Sequence, residues 1–438
     1  MLIVPATSKN LEITSFIFYK MCDVISIYSE KNIYSMKGIL SIVWLLLMVT
    51  LVTAQDKRDI VYPLPVSSGD TGYAYLRKAF NDKISPAVTF VGLGEVSHGG
   101  LQPIQFKAQL LQYLVTEKNF RTILVEFANI DLKPLNAYLQ DNTQTDVSRV
   151  DSLIGEAFYS SSMTIKTTTT LVVWLKHFNL SHPNDPVTLK GIDIIGMWPS
   201  FINYLFYNYI LPYDHAGALQ LQYKWSTGAT DDARWQDLQQ WYQQQQSLLQ
   251  QRLTETAFEV LKAEMKDAGE CILYNNMTKD NVLRAAFFRD SLMAENVVQR
   301  AAGKTVIWSH NLHLDKEPTA RTLGNMLYSK KGDAYFVVLT DFSGRADVRI
   351  YNDKPTATRW LQKQYEAHKE TAASTLRKQL KVDKGIVFYN DLVRMRLPVR
   401  LSSIDAYGGY EVVGYGQAFD ALVIFDNITP TVLYDSSK

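Results

Sequence analysis

Three of the seven histidines in the 438 residues stand directly after runs that read as strands. His98 lies in Gly94-Glu95-Val96-Ser97-His98-Gly99-Gly100, after the run Val88–Leu93. His310 and His313 lie in Ser309-His310-Asn311-Leu312-His313, after Thr305–Trp308. Glu126 closes the run that starts at Arg121, and Asp193 lies near the end of Val187–Ile195. An imidazole with a pKa near neutrality takes a proton from water. A carboxylate such as Glu95 or Glu126 orients that imidazole and stabilises its cation. A second histidine polarises a carbonyl or protonates a leaving alcohol. Hydrolysis of an ester or lactone needs these roles and no cofactor. The same set suits zinc or another divalent ion equally well, and the residues alone leave both uses open.

Other chemistries lack their parts. There is no Gly-x-Ser-x-Gly elbow, so the common serine-hydrolase route has no nucleophile, and Ser97 and Ser309 merely adjoin histidines in sequence. No Walker-type phosphate loop is present. Gly92-x-Gly94-x-x-Ser97 is a dinucleotide fingerprint without its third glycine. Cys271 sits in no strong motif.

Positioning such residues requires a sheet. Strand-like runs at Val88–Val91, Arg121–Val125, Val187–Ile195, Thr305–Trp308, Tyr335–Leu339 and Leu422–Phe425 alternate with helical stretches. Runs that are apolar throughout suggest strands buried on both faces, and the alternation suggests βαβ units. The expected fold class is α/β, a three-layer α/β/α architecture with a mainly parallel sheet. Parallel strands point their carboxyl ends one way, where ligands bind. Glu95, His98, Glu126, Asp193, His310 and His313 are therefore expected to converge. A carboxylate ending an apolar strand is costly to bury alone, so Glu126 calls for a partner, most simply His or Lys. Gly94, Gly99 and Gly100 suggest close backbone approach to a ligand, or positive φ, around His98. The bland alternatives are a loop role for His98, structural roles for His310 and His313, and a helix cap at Asp193.

No strand pattern appears between about residues 216 and 302, which read as a helical insertion. Its segment Trp235–Arg252 carries Trp235, Trp241 and Tyr242. The favoured reading is helices with a small core of their own, and the sharper one is a cap whose aromatics face substrate.

Composition narrows the class. Hydrophobic residues are 47% and charged residues 20%, which excludes a disordered or fibrous chain. The formal charge of +1 removes the basic footprint of a nucleic-acid binder. Aromatics at 12% are enough to line a pocket for a bulky apolar ligand. Met36-Lys37-Gly38, the apolar run Ile39–Val52 and the small-x-small end at Ala54 have the parts of a secretory signal peptide. Residues 1–54 are expected to be leader, with translation starting at Met36. Cleavage would leave Cys271 alone, with no internal disulfide and no stable membrane anchor. The expected compartment is secreted or periplasmic, in a bacterium.

Taken in order, Gly94-Glu95-Val96-Ser97-His98-Gly99, Val125-Glu126, Gly191-Ile192-Asp193 and Trp308-Ser309-His310-Asn311-Leu312-His313 resemble the erythromycin esterase family. Arg289-Asp290-Ser291-Leu292-Met293-Ala294-Glu295-Asn296 is similar to that family's Arg-Asp-x-x-Met-Ala-x-Asn segment, and Phe419-Asp420-Ala421-Leu422 to its last strand entry. The resemblance runs from roughly Val88 to Asp426, so that residues 55–438 would form one such domain. It implies hydrolysis of a carboxylic ester by activated water, with His98 as general base and Glu95 beside it. Glu126, His310 and His313 would complete the cluster, and Lys107, Asp193 and Arg289 would bind substrate. The family usually has an acidic residue where this chain has Gln102, and arginine where it has Lys107. The resemblance thus implies the base without fixing a macrolide as substrate. The partner expected is a small ester or lactone, with no cofactor required. The rival reading is an exported metal- or haem-binding protein using the same histidines and carboxylates. A third is a catalytically inactive relative in envelope polysaccharide processing.

Overall fold

The computed structural model describes residues 60–65, 73–158, 165–195, 198–352, 360–414 and 419–432. The expected leader lies outside these residues. The chain divides at Ile60, and all that follows concerns the unit Val61–Lys438.

Seven of the strands make one sheet. They are β1 (Phe90–Glu95), β2 (Thr122–Ala128), β3 (Thr188–Asp193), β4 (Thr305–His310), β5 (Tyr335–Phe342), β8 (Gly385–Phe388) and β11 (Ala421–Phe425), in the order β3-β2-β4-β1-β5-β11-β8. Every pairing is parallel except β11 with β8 at the edge. Alternate residues Val91, Leu93, Ile123, Val125, Val306, Trp308, Phe336 and Val338 join one large core cluster. The residues between them, among them Leu124, Ile307, Val337 and Leu339, are buried as well. Burial on both faces is why these strands read as unbroken apolar runs rather than alternating ones.

Helices α1 (Ala74–Phe80), α2 (Leu101–Lys118), α3 (Asn129–Gln140), α4 (Val150–Ala157) and α5 (Lys166–Ser181) accompany the first strands. After β3 comes α6 (Trp198–Leu205), which runs through a π turn at Phe206–Ile210. The stretch expected to be helical holds α7 (His215–Ser226), α8 (Asp231–Arg252), α9 (Glu255–Asp280) and α10 (Val282–Arg300). Thr230, Thr254 and Asn281 cap the last three, each side chain accepting a backbone N–H of the first turn. Trp241 is buried in a core that α8 and α9 share with α6 and the π turn, and Trp235 and Tyr242 pack against it. Those aromatics therefore serve an internal core. Asn296 donates to the Ile192 carbonyl (2.9 Å) and Arg300 to the Gly191 carbonyl (2.6 Å), which ties α10 to β3.

Beyond β4 come α11 (Asn311–Leu314) and α12 (Leu323–Lys331), then α13 (Ala372–Leu380) and α14 (Tyr389–Arg394). Two antiparallel pairs stand apart from the main sheet: β6 (Arg345–Tyr351) with β7 (Trp360–Glu366), and β9 (Arg400–Ile404) with β10 (Tyr410–Gly414). Neither pair was expected. β6 alternates, β7 and β10 are mostly exposed or half-buried, and the buried β9 is interrupted by Ser402 and Ser403, so none has the continuous apolar signature.

Candidate active site at the carboxyl edge of the sheet

Register brings the pieces together. Glu95 ends β1 directly beside His310, which ends β4, and β2 flanks β4 on its other side with Glu126 near its end. Asp193 ends β3 beside Ala128. His98 follows in the loop between β1 and α2.

Glycines allow this crowding, but not through positive φ. None of Gly94, Gly99 and Gly100 has positive φ. A Cβ on Gly94 would meet Asn311 of α11 and, at 2.7 Å, Leu339 of β5, and one on Gly92 would lie 2.8 Å from the Tyr335 hydroxyl. The broken fingerprint is thus packing space for neighbouring elements. A Cβ on Gly99 would run into the backbone of Arg349 in β6, whose N–H donates to the Gly99 carbonyl at 3.3 Å.

The first group centres on Glu95, which is 4% exposed. Its Oε1 lies 2.9 Å from His98 Nδ1, and its Oε2 pairs with the Lys107 ammonium. Lys107 also donates to the Ser309 carbonyl at 3.2 Å and sits 4.3 Å from the Trp308 ring centroid. The His98 side chain keeps 34% of its surface exposed, against 1% for Lys107. Lys107 was expected to touch substrate; it lies behind Glu95, where burial pulls its pKa well below the usual lysine value against the opposing charge of Glu126, and direct contact with the Glu95 carboxylate favours the ammonium. Burial lowers the pKa of His98, and the charges of His313 and Arg289 lower it further against the pull of Glu126. The ring is neutral at neutral pH. With Nδ1–H given to Glu95, Nε2 carries the lone pair.

The second group centres on Glu126. Its Oε1 accepts from Arg289 Nη2 at 2.7 Å and lies 3.2 Å from His313 Nε2. Its Oε2 accepts from the Ser309 hydroxyl at 2.7 Å and from the His310 backbone N–H at 2.8 Å. The partner required on burial is therefore an arginine as well as a histidine. Burial by itself would raise the Glu126 carboxyl, but His313 and Arg289 hold it well below the usual range. Arg289 forks onto Asp193, with Nε to Oδ1 at 2.9 Å and Nη2 to Oδ2 at 2.5 Å. Asp193 also accepts the backbone N–H groups of Ile194 and Ile195, so it braces Arg289 and caps its own turn. At 5% exposure it stands behind the arginine, not in front of a ligand.

His313 Nδ1 lies 2.9 Å from Asp290 Oδ1. Burial disfavours the imidazolium, but Glu126 and Asp290 outweigh it and raise the pKa to about 10. His310 is different. Its Nδ1 accepts the Leu312 N–H, and its Nε2 lies 3.3 Å from both the Val96 and Ile404 carbonyls. Burial, with His98 adding to it, lowers its pKa to about 3. Its ring centroid is 5.0 Å from that of His98. Its Nδ1 caps α11 and its Nε2 ties the end of β4 to the residue after β1 and to the end of β9, so the geometry gives it a connecting role rather than a proton-transfer one.

All eight expected residues thus fall in one neighbourhood, five with strong mutual contacts around Glu126 and Arg289, the others around Glu95. Sequence reasoning gave Asp290 no role, although its helix was singled out, and it missed Ile404, whose strand carried no signal. Gln102 turns away from the site, its amide pairing with the Thr429 backbone N–H (2.7 Å) and hydroxyl. Neither neighbouring serine is bonded to a histidine as a nucleophile would be. Ser309 donates to Glu126, and the Ser97 oxygen accepts the Gly99 N–H at 3.3 Å. Among the described residues no group of three or more His, Cys, Asp or Glu side chains is arranged to hold a metal ion.

The family model for erythromycin esterase matches residues 115–428. Three solved structures share the fold. A Bacillus cereus protein has a TM-score of 0.65 at 18% identity, covering 87% of this chain and 98% of its own. A succinoglycan biosynthesis protein has a TM-score of 0.67 at 15% identity, with the same coverages of 87% and 98%. A mutant of the erythromycin esterase EreC, in its open conformation, has a TM-score of 0.62 at 16% identity, covering 83% of this chain and 96% of its own. No curated protein matches the sequence.

Proposed function

The chain belongs to the erythromycin esterase family, and from that premise we propose that it cleaves a carboxylic ester or lactone with water activated by His98. One observation carries the reading. The Glu95–His98 pair leaves a neutral, partly exposed imidazole with its Nε2 lone pair free to take a proton from water. Glu95 holds the ring orientation and takes up the charge when the proton arrives, while Lys107 fixes Glu95 from behind. Attack of hydroxide on the carbonyl carbon places negative charge on the carbonyl oxygen. Arg289 and the His313 imidazolium supply the cationic side of the site against which that charge develops. On collapse, the C–O bond to the alcohol breaks, and the proton held by His98 passes to the leaving oxygen. Neither Ser97 nor Ser309, the serines at the site, is hydrogen-bonded to a histidine, which supports water as the nucleophile. Macrolide lactones are among the candidate substrates, alongside simpler esters.

We assign residues 55–438 to one esterase-like domain carrying the helical stretch of about 216–302. The leader pattern that ends at Ala54 supports export to the periplasm or medium.

The test is hydrolysis of a panel of macrolides and small aryl esters by the wild type and by His98→Ala. Loss of a general base lowers kcat by about 10²–10⁴-fold. A variant that retains wild-type turnover would remove His98 from this role.

A further inference from the structure

Two histidines of this site have the same local arrangement and opposite charge states. His98 gives Nδ1 to Glu95 at 2.9 Å, and His313 gives Nδ1 to Asp290, also at 2.9 Å. What differs is the far side of each carboxylate and of each ring. Glu95 spends its second oxygen on the Lys107 ammonium, so its charge is neutralised before it reaches His98. Among the described residues no lysine or arginine is in hydrogen-bond contact with Asp290; its Oδ1 also accepts the Leu323 N–H at 3.0 Å, a neutral donor. The Nε2 of His313 lies 3.2 Å from Glu126 Oε1 and 3.2 Å from Arg289 Nη1, whereas no such carboxylate stands at the Nε2 of His98 among the described residues.

We infer that Asp290 is a positioning residue for the hydrolytic reaction: with Glu126 it clamps His313 from both ring nitrogens and keeps it as a fixed imidazolium beside the neutral base His98. The inference rests on the hydrolase reading given above. The charged and titratable groups facing His313 are Glu126 from β2, Asp290 and Arg289 from α10, His98 from the loop after β1 and His310 from β4. Two are anionic and Arg289 is cationic. Arg289 is itself forked onto Asp193 and Glu126, so much of its charge is already answered. The clamp also joins three elements, since Asp290 lies on α10, His313 on α11 and Leu323 at the start of α12.

A permanent cation here has two consequences. It offers positive charge to the oxyanion without any proton transfer in the step. It also disfavours a second positive charge on His98, which keeps the base in its proton-accepting form. Replacing Asp290 by Asn removes one wall of the clamp and allows His313 to lose its proton. The oxyanion side then weakens, and His98 gains basicity.

The experiment has two independent arms. In the wild type, ¹⁵N spectra of His313 at pH 8 are expected to show both ring nitrogens protonated, while His98 shows one. This arm needs no activity and no variant. In Asp290→Asn, kcat on a small aryl ester is expected to fall on the order of 10²-fold with KM little changed. The acid limb of kcat/KM is expected to move to higher pH, and Asp290→Glu to restore much of the rate. A purely structural role would lower melting temperature without moving the acid limb. A neutral His313 in the wild type overturns the inference even if Asp290→Asn fails to fold. So does an unmoved acid limb in a folded variant. Failure of the hydrolase reading itself would appear separately, as full activity in His98→Ala.

Discussion

Lys107→Met isolates what the buried ammonium does for the base. In the wild type the Glu95 carboxylate lies between two partners, Lys107 on Oε2 and His98 on Oε1 at 2.9 Å. Without the lysine, the carboxylate keeps its full charge and only the imidazole can answer it. The Glu95–His98 attraction is already present in the wild type, so what the substitution removes is the repulsion between the lysine ammonium and the imidazolium, on the order of a few kcal/mol for unit charges several ångströms apart at an effective dielectric of about 20. A third of the His98 side chain meets solvent, which screens part of that repulsion. The His98 pKa should rise, and the acid limb of kcat/KM should move to higher pH with it. Above the new limb the base is again neutral, and turnover should recover towards the wild-type plateau. The fold is weakened at the same time, because a buried charge left without its partner costs about 3–5 kcal/mol. Protonation of His98 recovers part of that cost. Lys107→Arg, which keeps a cation at that position, should leave the limb at its wild-type position. The assay is a pH series of kcat/KM on an aryl ester, with folding checked at each pH. An acid limb that stays in place in a folded Lys107→Met protein would refute the reasoning.

Ser309→Ala should keep kcat within about tenfold of wild type, because the hydroxyl serves Glu126 and not a histidine; a loss of the about 10⁶-fold seen when a serine nucleophile is removed would contradict the water mechanism. The buried, neutral His310 has its pKa lowered to about 3, so its share of stability is present above the unfolded value of about 6.5 and is lost as pH falls from there towards 3. A urea series should show this acid loss in the wild type, and a shallower one in His310→Gln. Gly99→Ala forces a Cβ against the Arg349 backbone one residue from the base, and a displacement near 1 Å should lower kcat by about 10²-fold. Gly228→Ala, where φ is +90° and the surroundings are open, should cost about 1 kcal/mol in stability and leave kcat unchanged.

Six strands of the main sheet were legible because they are buried on both faces, and Val88–Val91 or Thr305–Trp308 has no competing interpretation as an amphipathic helix; the antiparallel edge strand β8, only four residues long, was not read from the sequence. The convergence of Glu95, Glu126, Asp193 and His310 followed from parallel strands alone. What was not legible is which carboxylate answers which cation. Lys107 follows Glu95 by twelve positions on α2, yet it occupies the far side of that carboxylate, and only the packing of α2 on the sheet decides so. Arg289 lies far along the chain from Glu126 and Asp193, and a helix that approaches β3 from the 216–302 stretch brings it in. His310 looked like a third reactive imidazole because its strand-end position matches that of a catalytic group. Its saturation by the Val96 and Ile404 carbonyls depends on β9, a strand of five residues with no periodic signal.

The charge inventory of the site bears on what enters and what leaves. Among the described residues, the carboxylates Glu95, Glu126, Asp193 and Asp290 face the cations Lys107, Arg289 and His313 through direct contacts. With His98 neutral, the anions exceed the cations by one, and Asp405 adds to the negative field at His98. A neutral ester enters such a site without an electrostatic penalty. Its acid product, ionised at neutral pH, adds negative charge to a set that already carries an excess. The cations that steady a transient oxyanion are mostly engaged with their own carboxylates, so they help a charge that develops at one atom more than they hold a free carboxylate. The carboxylate product should therefore bind more weakly than the parent ester, with an inhibition constant well above KM. The corresponding alcohol or amide, neutral and of similar shape, should inhibit better than the acid. Strong inhibition by the free acid would mean that Arg289 or His313 is available to a ligand carboxylate, and that the pairings described here are exchanged when substrate binds.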